Sequence, residues 1–192
     1  HEIADRVLKS KALIKSVEKY QGVSLERLNI SVPSFDDDFI IPAEMVTYVQ
    51  EYVDYVLSFE TSETVRFNEK RVDYSHYVPQ GFGTCDAAIY DPKEKTLHIF
   101  DLKYGKGVEV YAEKNTQAML YAIGFLKFLT DTGVKVSGVK HVVIHICQPR
   151  REHFDSWKLT VNKLNKFAIL ASTRPAETLK ENAPLIPGEK QC

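Results

Sequence analysis

Cysteine is scarce in this sequence, and its scarcity excludes one class of small protein. The 192 residues contain three cysteines, Cys85, Cys147 and Cys192. They are too few and too scattered for a disulfide framework of the kind that stabilises small secreted domains. We therefore expect a reducing environment and a cytoplasmic protein.

Long apolar runs and a strong charge excess are also missing. No hydrophobic stretch approaches the ~18 residues that a membrane-spanning helix needs, and the charged first residues do not resemble a signal peptide. We expect no membrane partner. The formal net charge of −1 argues against a protein that coats nucleic acid over a broad face. It still allows a groove in which a few local cations grip phosphates.

The amino-acid composition is typical of one folded domain. Hydrophobic residues make up 44% of the chain and charged residues 27%, which is enough for a packed core. We expect a single domain over residues 1–192, and the start at His1 and the end at Cys192 suggest a piece of a slightly longer chain. The oligomeric state has no signature in the sequence.

Periodicity and turn residues predict alternating helices and strands. The predicted helices span about 1–20, 42–59 and 113–129, and the last one ends near 181. The predicted strands span about 63–78, 84–90, 96–103, 139–147 and 157–161. This order predicts an α/β fold in which helices flank a central mixed β-sheet on both faces.

Three charged residues on one predicted hairpin could carry chemistry. Asp101 and Lys103 are two apart on a strand and therefore point to the same face, while Asp86 lies on the partner strand. Two carboxylates at close range favour a bound cation such as Mg²⁺ or Mn²⁺. On spacing alone, a simple salt bridge at the end of a hairpin explains the trio equally well.

A longer pattern around these residues resembles a known family. Residues 81–124 read GFGTCDAAIYDPKEKTLHIFDLKYGKGVEVYAEKNTQAMLYAIG and contain G-T-x-D, D-x-K-Y-G-K-G and Q-x-x-x-Y in order. This segment resembles the core of RecB-type nucleases of the PD-(D/E)XK superfamily, most closely a branch found in phages and prophages. The resemblance implies a restriction-endonuclease-like core and a metal-dependent DNA nuclease.

The resemblance also implies roles for individual residues. The metal, Mg²⁺ or Mn²⁺, would be held by His1, Asp86, Asp101 and the backbone carbonyl of Leu102. The catalytic set would be Asp86, Asp101, Lys103, Gln117 and Tyr121. Because an ammonium group is a poor base at neutral pH, we expect Lys103 to stabilise charge in the transition state.

Three of the candidate residues have plain alternatives. His1 could be a disordered terminal residue or the remnant of a tag, although the amphipathic segment that follows it favours a ligand. Glu69 is a further acidic candidate, but an exposed charge on the first strand is the favoured interpretation. Tyr121 could be a core aromatic whose hydroxyl lies at the edge of the core.

Four basic residues are candidates for binding DNA phosphates: Lys106, Lys114, Arg150 and Arg151. Each is also consistent with a solvated surface charge.

Some relatives continue from a cysteine placed like Cys192 into an iron–sulfur cluster, which requires four ligands. The chain does not supply four at suitable spacing, so we expect a cluster only in a longer chain.

The sequence therefore favours an exonuclease that hydrolyses DNA from single- or double-stranded ends, in phage or prophage recombination, repair or processing within a bacterial host. The alternative from another class is a non-catalytic DNA-binding module that retains a nuclease fold. The complete Asp, Asp-x-Lys set argues against that alternative, because binding alone does not need all three residues.

Overall fold

The computed structural model describes residues 1–10, 17–31, 36, 38–133 and 138–178. Within these residues the chain forms four helices and one sheet of five strands. In chain order the elements are α1 (Glu2–Lys9), α2 (Ala43–Leu57), β1 (Val65–Asp73), β2 (Phe82–Asp91), β3 (Thr96–Leu102), α3 (Thr116–Asp131), β4 (His141–Gln148), β5 (His153–Thr160) and α4 (Val161–Thr178). This is the predicted order of helices and strands.

The sheet is mixed, and its strands lie in chain order from β1 to β5. The pairs β1–β2, β2–β3 and β4–β5 are antiparallel, whereas β3 and β4 are parallel. A parallel pair needs a crossover connection, and α3 lies within this one. β3 is the central strand, and β3 and β4 are the most buried strands.

Helices cover the sheet on both faces, as the sequence predicted. On one face, α1 and α2 bury a cluster that includes Leu8, Val53, Ile89, Phe100 and Leu102. On the other face, α3 and α4 bury a cluster that includes Ile99, Phe125, Leu129, Ile144 and Leu164. Burial of these two apolar layers is the main term that stabilises the fold. None of the described helices is long and apolar enough to cross a membrane.

Two helix boundaries differ from the prediction. The first helix ends at Lys9, because Ser10 adopts an extended conformation, and a short 3-10 turn follows at Val17–Tyr20. α3 begins at Thr116 instead of Glu113, because the Asn115 side chain accepts a hydrogen bond from the Ala118 amide at 3.1 Å and caps the helix. The predicted tail with Cys192 lies outside the described residues.

Candidate active site

Three acidic residues lie side by side on three neighbouring strands. The ladder pairs Asn68 with Ala87, and Ala87 with Phe100. The next positions along the strands are Glu69 on β1, Asp86 on β2 and Asp101 on β3, and we call these three positions the acidic row. Like charges at this spacing repel each other unless a cation or protons compensate.

Asp86 is the centre of this row. Its Oδ2 accepts a hydrogen bond from the Leu102 amide at 2.7 Å, and its Oδ1 lies 3.0 Å from His1 Nδ1. His1 is the N-cap residue of α1, so this helix delivers the imidazole to the carboxylate. The hydrogen bond to Asp86 is the main cause that raises the pKa of His1, and burial opposes it.

Asp101 is a buried carboxylate, and only 4% of its surface is exposed. Its Oδ1 accepts a hydrogen bond from Lys103 Nζ at 3.1 Å. Its Oδ2 lies 2.9 Å from the same ammonium group and has no hydrogen bond within the part of the chain that the structure describes. Burial raises the pKa of Asp101, and the charge of Lys103 opposes that shift. A buried carboxylate oxygen without a hydrogen-bond donor is costly, and a cation could satisfy it.

Glu69 belongs to the same site, although the sequence favoured an exposed strand charge. Burial, followed by the charge of Asp86, raises the pKa of Glu69 to about 7. The sequence could not show this contact, because residues 74–81 separate β1 from β2 and a connection of that length does not fix the register. The one available signal was an acidic residue on a strand next to the hairpin with Asp86.

His1, Glu69 and Asp86 can share one metal ion. Each offers one ligand atom, and these atoms all lie within 4.8 Å of one another. Carboxylate oxygens suit Mg²⁺ and Mn²⁺, whereas an imidazole nitrogen favours the transition metals. Mn²⁺ fits both donor types. Of the predicted ligands, the structure groups His1 and Asp86 with Glu69, and Asp101 lies beside this group in contact with Lys103.

A hydrogen-bonded chain links the site to α3. Lys103 Nζ donates to Gln117 Oε1 at 3.0 Å, and Gln117 Nε2 donates to the Tyr121 hydroxyl at 2.7 Å. Gln117 and Tyr121 are four apart on the helix and so lie on one face. The structure thus brings together Asp101, Lys103, Gln117 and Tyr121 from the predicted catalytic set.

A glycine lets α3 approach the strands of the site. A Cβ at Gly83 on β2 would overlap the ring of Tyr121. The glycine of the G-T-x-D motif is therefore needed for close packing, and the motif couples Asp86 to the helix that carries Gln117.

The four predicted phosphate-binding cations all have acidic or carbonyl partners. Lys106 and Arg150 both lie near Glu44, at 3.5 and 3.6 Å, and Lys114 lies 3.3 Å from Glu113. Arg151 donates to the carbonyl of Gly107 at 2.8 Å and so anchors the loop after β3. Exposed ion pairs of this kind are weak and can exchange for phosphate, so DNA binding by these residues stays a prediction.

Fold and site together define an α/β protein with a carboxylate–imidazole cluster formed by the start of α1 and the first two strands of a mixed sheet. The family described as "Protein of unknown function (DUF2800)" matches residues 1–192. The chain belongs to this family. No solved structure matches the chain.

Proposed function

We propose that this protein is a divalent-metal-dependent DNA nuclease of the PD-(D/E)XK type, with the RecB-like pattern seen in its sequence. The observation that carries the proposal is the position of Lys103, which contacts Asp101 and Gln117 beside the His1–Glu69–Asp86 cluster. A salt bridge alone would not require an imidazole and two more carboxylates at the same spot.

The donor set fits a metal ion. His1, Glu69 and Asp86 would hold it, and Asp101, which is ion-paired with Lys103 through Oδ2 at 2.9 Å, offers a further carboxylate beside them. A bound Mg²⁺ or Mn²⁺ lowers the pKa of a coordinated water and offsets negative charge on a phosphodiester. Burial, followed by the charge of Asp86, raises the pKa of Glu69 to about 7, and a bound cation would offset this cost of ionising Glu69.

The other residues of the site position the charged groups and stabilise charge on the phosphate. Lys103 places an ammonium group next to Asp101, where it can offset charge that develops on a phosphate oxygen. Gln117 holds that ammonium group from the side of α3, and Tyr121 in turn accepts a hydrogen bond from Gln117. Asp86 fixes the end of β3 through the Leu102 amide, which sets the position of Asp101 and Lys103 relative to the cluster.

The proposal is tested by cleavage of labelled DNA in Mg²⁺ and in Mn²⁺. Asp101→Asn and Lys103→Met should each lower the cleavage rate about a hundredfold or more. Asp101→Asn removes the carboxylate charge that holds Lys103 beside the cluster, and Lys103→Met removes the cation that offsets charge on the phosphate. Asp54→Asn and Lys93→Met change exposed residues outside the site and serve as matched controls. Full metal-dependent activity in either site variant, with folding intact, would refute the proposal.

The resemblance to RecB-type proteins favours an exonuclease that acts from DNA ends. Comparing a linear duplex with the same sequence as a closed circle distinguishes the two modes. Degradation of the linear form alone is expected, whereas nicking of the circle at a similar rate would indicate an endonuclease.

A further inference from the structure

A cavity of about 480 Å³ opens directly beside the carboxylate–imidazole cluster. His1 and Glu69 form part of its wall, so any ligand in the cavity lies next to the metal-binding atoms. Most of the remaining wall is apolar and comes from α1, α2 and the segment between them: Ile3, Leu25, Ile30, Phe39, Met45 and Val49. Cavities of this size commonly hold a small organic group.

Away from His1, the charges of the wall disfavour an anionic occupant. Among the described residues that line the cavity there is no lysine or arginine, and Glu2 and Glu69 contribute carboxylates. A phosphate inside the cavity would therefore be repelled and poorly solvated. The nearby guanidinium of Arg150 lies over the ring of Tyr104, 5.1 Å from its centroid, and faces Glu44. The chemistry favours a neutral, flat, largely apolar group.

We propose that this cavity receives an unpaired nucleobase of single-stranded DNA, while the adjoining phosphate lies at the cluster of His1, Glu69 and Asp86. This inference rests on the proposed nuclease function and names its substrate class. Phe39 and Tyr104 supply aromatic surface to the cavity, and bases stack on aromatic side chains with little dependence on sequence.

The position of the cavity explains why a single strand is required. A base inside a duplex cannot enter such a pocket unless it is first unpaired and unstacked, which costs free energy. An unpaired strand or a frayed end avoids that cost. The substrate is therefore a DNA single strand, and blunt duplex ends are cleaved only as fast as they fray.

Met45 offers a way to test the pocket without touching the metal ligands. It lies half-buried on α2 and lines the cavity, so Met45→Trp should fill much of the space. Thr47→Trp is the matched control, because Thr47 is exposed on the same helix and does not line this cavity.

The experiment compares binding and cleavage of two labelled DNA strands of about 12 nucleotides. One strand is oligo-dT, and the other has abasic sugars at every position. Fluorescence anisotropy in Ca²⁺ should show that the wild-type protein binds oligo-dT about tenfold or more tightly than the abasic strand. Met45→Trp should remove this preference, and Thr47→Trp should keep it. Equal affinity of the wild-type protein for both strands, or an unchanged preference in Met45→Trp, would overturn the inference.

Cleavage in Mn²⁺ separates this inference from the proposed function. Met45→Trp should lower the rate on oligo-dT about tenfold while cleavage of a small, base-free phosphodiester stays unchanged. If the wild-type protein cleaves oligo-dT and Met45→Trp cleaves it equally fast, the base pocket is refuted and the nuclease remains. If the wild-type protein cleaves neither substrate, the nuclease proposal itself fails, and the base pocket fails with it.

Discussion

Glu69 has a backbone conformation that few residues other than glycine adopt. Its φ is 42°, in the middle of β1. Strain of this kind costs on the order of 1–3 kcal/mol and persists only where the surroundings enforce it. Here the ladder pairs of Asn68 and Lys70 with β2 hold the strand on either side. The result is a carboxylate that lies against Asp86, so local strain and charge repulsion meet at the same residue.

The hydrogen bonds of Gln117 give a prediction for catalysis. Gln117→Ala removes one of the two side chains that hold the Lys103 ammonium group. We expect the cleavage rate to fall about tenfold, with a change in the free energy of unfolding of less than about 1.5 kcal/mol. Single-turnover kinetics and urea unfolding measure the two effects.

Tyr121→Phe is the matched variant, because it removes only the hydroxyl group that Gln117 contacts. Its loss of activity should be smaller than that of Gln117→Ala. A larger loss of activity in Tyr121→Phe than in Gln117→Ala would show that the Gln117 amide acts by positioning Tyr121 and not by positioning Lys103.

Two histidines outside the site lead us to predict that the stability of the protein depends on pH. His145 Nε2 lies 3.0 Å from His98 Nδ1, and His145 Nδ1 lies 3.0 Å from the Tyr55 hydroxyl. Burial lowers the pKa of His145 to about 3 and that of His98 to about 4. The unfolded chain therefore binds more protons below about pH 6.5. The stability contributed by the neutral pair is complete above that pH and decreases as the pH falls toward 4.

The measurement is urea unfolding of wild type and of His145→Gln between pH 7.5 and 4. The free energy of unfolding of the wild-type protein should fall more steeply toward acid pH than that of the variant, since glutamine does not titrate. His76→Gln, at an exposed position, is the control. Parallel curves for wild type and His145→Gln would contradict the neutral, buried pair.

At the level of elements, α3 depends on close contact with the first two strands. A Cβ at Gly124 would lie 2.8 Å from the Cβ of Val72 on β1. Together with Gly83 against Tyr121, this contact fixes how near the helix lies to the sheet. The same helix carries Gln117, so its distance from β3 determines whether Lys103 keeps both of its acceptors.

Gly124→Ala should therefore destabilise the protein, although alanine is the better helix former. Overpacking costs about 1–3 kcal/mol, and the higher helix propensity of alanine offsets at most about 1 kcal/mol. Thermal unfolding should show a lower Tm for Gly124→Ala. Gly107→Ala, where a Cβ meets nothing within 4 Å, should change the Tm little. An unchanged or higher Tm for Gly124→Ala would refute the packing argument.

The elements also show what sequence patterns can predict here. The hairpin of β2 and β3 follows from its turn at residues 91–95 and from strand alternation, so the pairing of the strands that carry Asp86 and Asp101 was predicted correctly. Helix α2, with its proline at the start, was predicted almost to the residue. The sequence did not favour Glu69 as a site residue, and it predicted α1 to be longer than it is. Both features depend on packing between segments that are distant in sequence and not on local periodicity.

For the whole molecule, the described residues form two apolar layers around one sheet, and the acidic row lies where β1, β2 and β3 meet α1 and α3. A site assembled from residues as distant in sequence as His1 and Tyr121 exists only in the folded state. A ligand that binds such a site stabilises the fold by mass action.

Mn²⁺ should therefore raise the Tm in a saturable way. A concentration one hundred times the dissociation constant would add about 2.7 kcal/mol to the free energy of unfolding. Glu69→Gln should lose most of this increase, while the Tm without metal stays equal or rises because the repulsion with Asp86 is relieved. Glu113→Gln, which changes an exposed acidic residue, is the control. An equal Mn²⁺-induced increase in Glu69→Gln would place the ion elsewhere.

The most direct test of the metal centre is anomalous diffraction from crystals grown with Mn²⁺. We predict one strong anomalous peak within bonding distance of His1, Glu69 and Asp86, with Asp101 Oδ2 facing it. Crystals of Glu69→Gln should show a weaker peak at the same position. A fully ordered site without a peak, or a peak that does not contact Asp86, would contradict the assignment of this cluster as the metal centre.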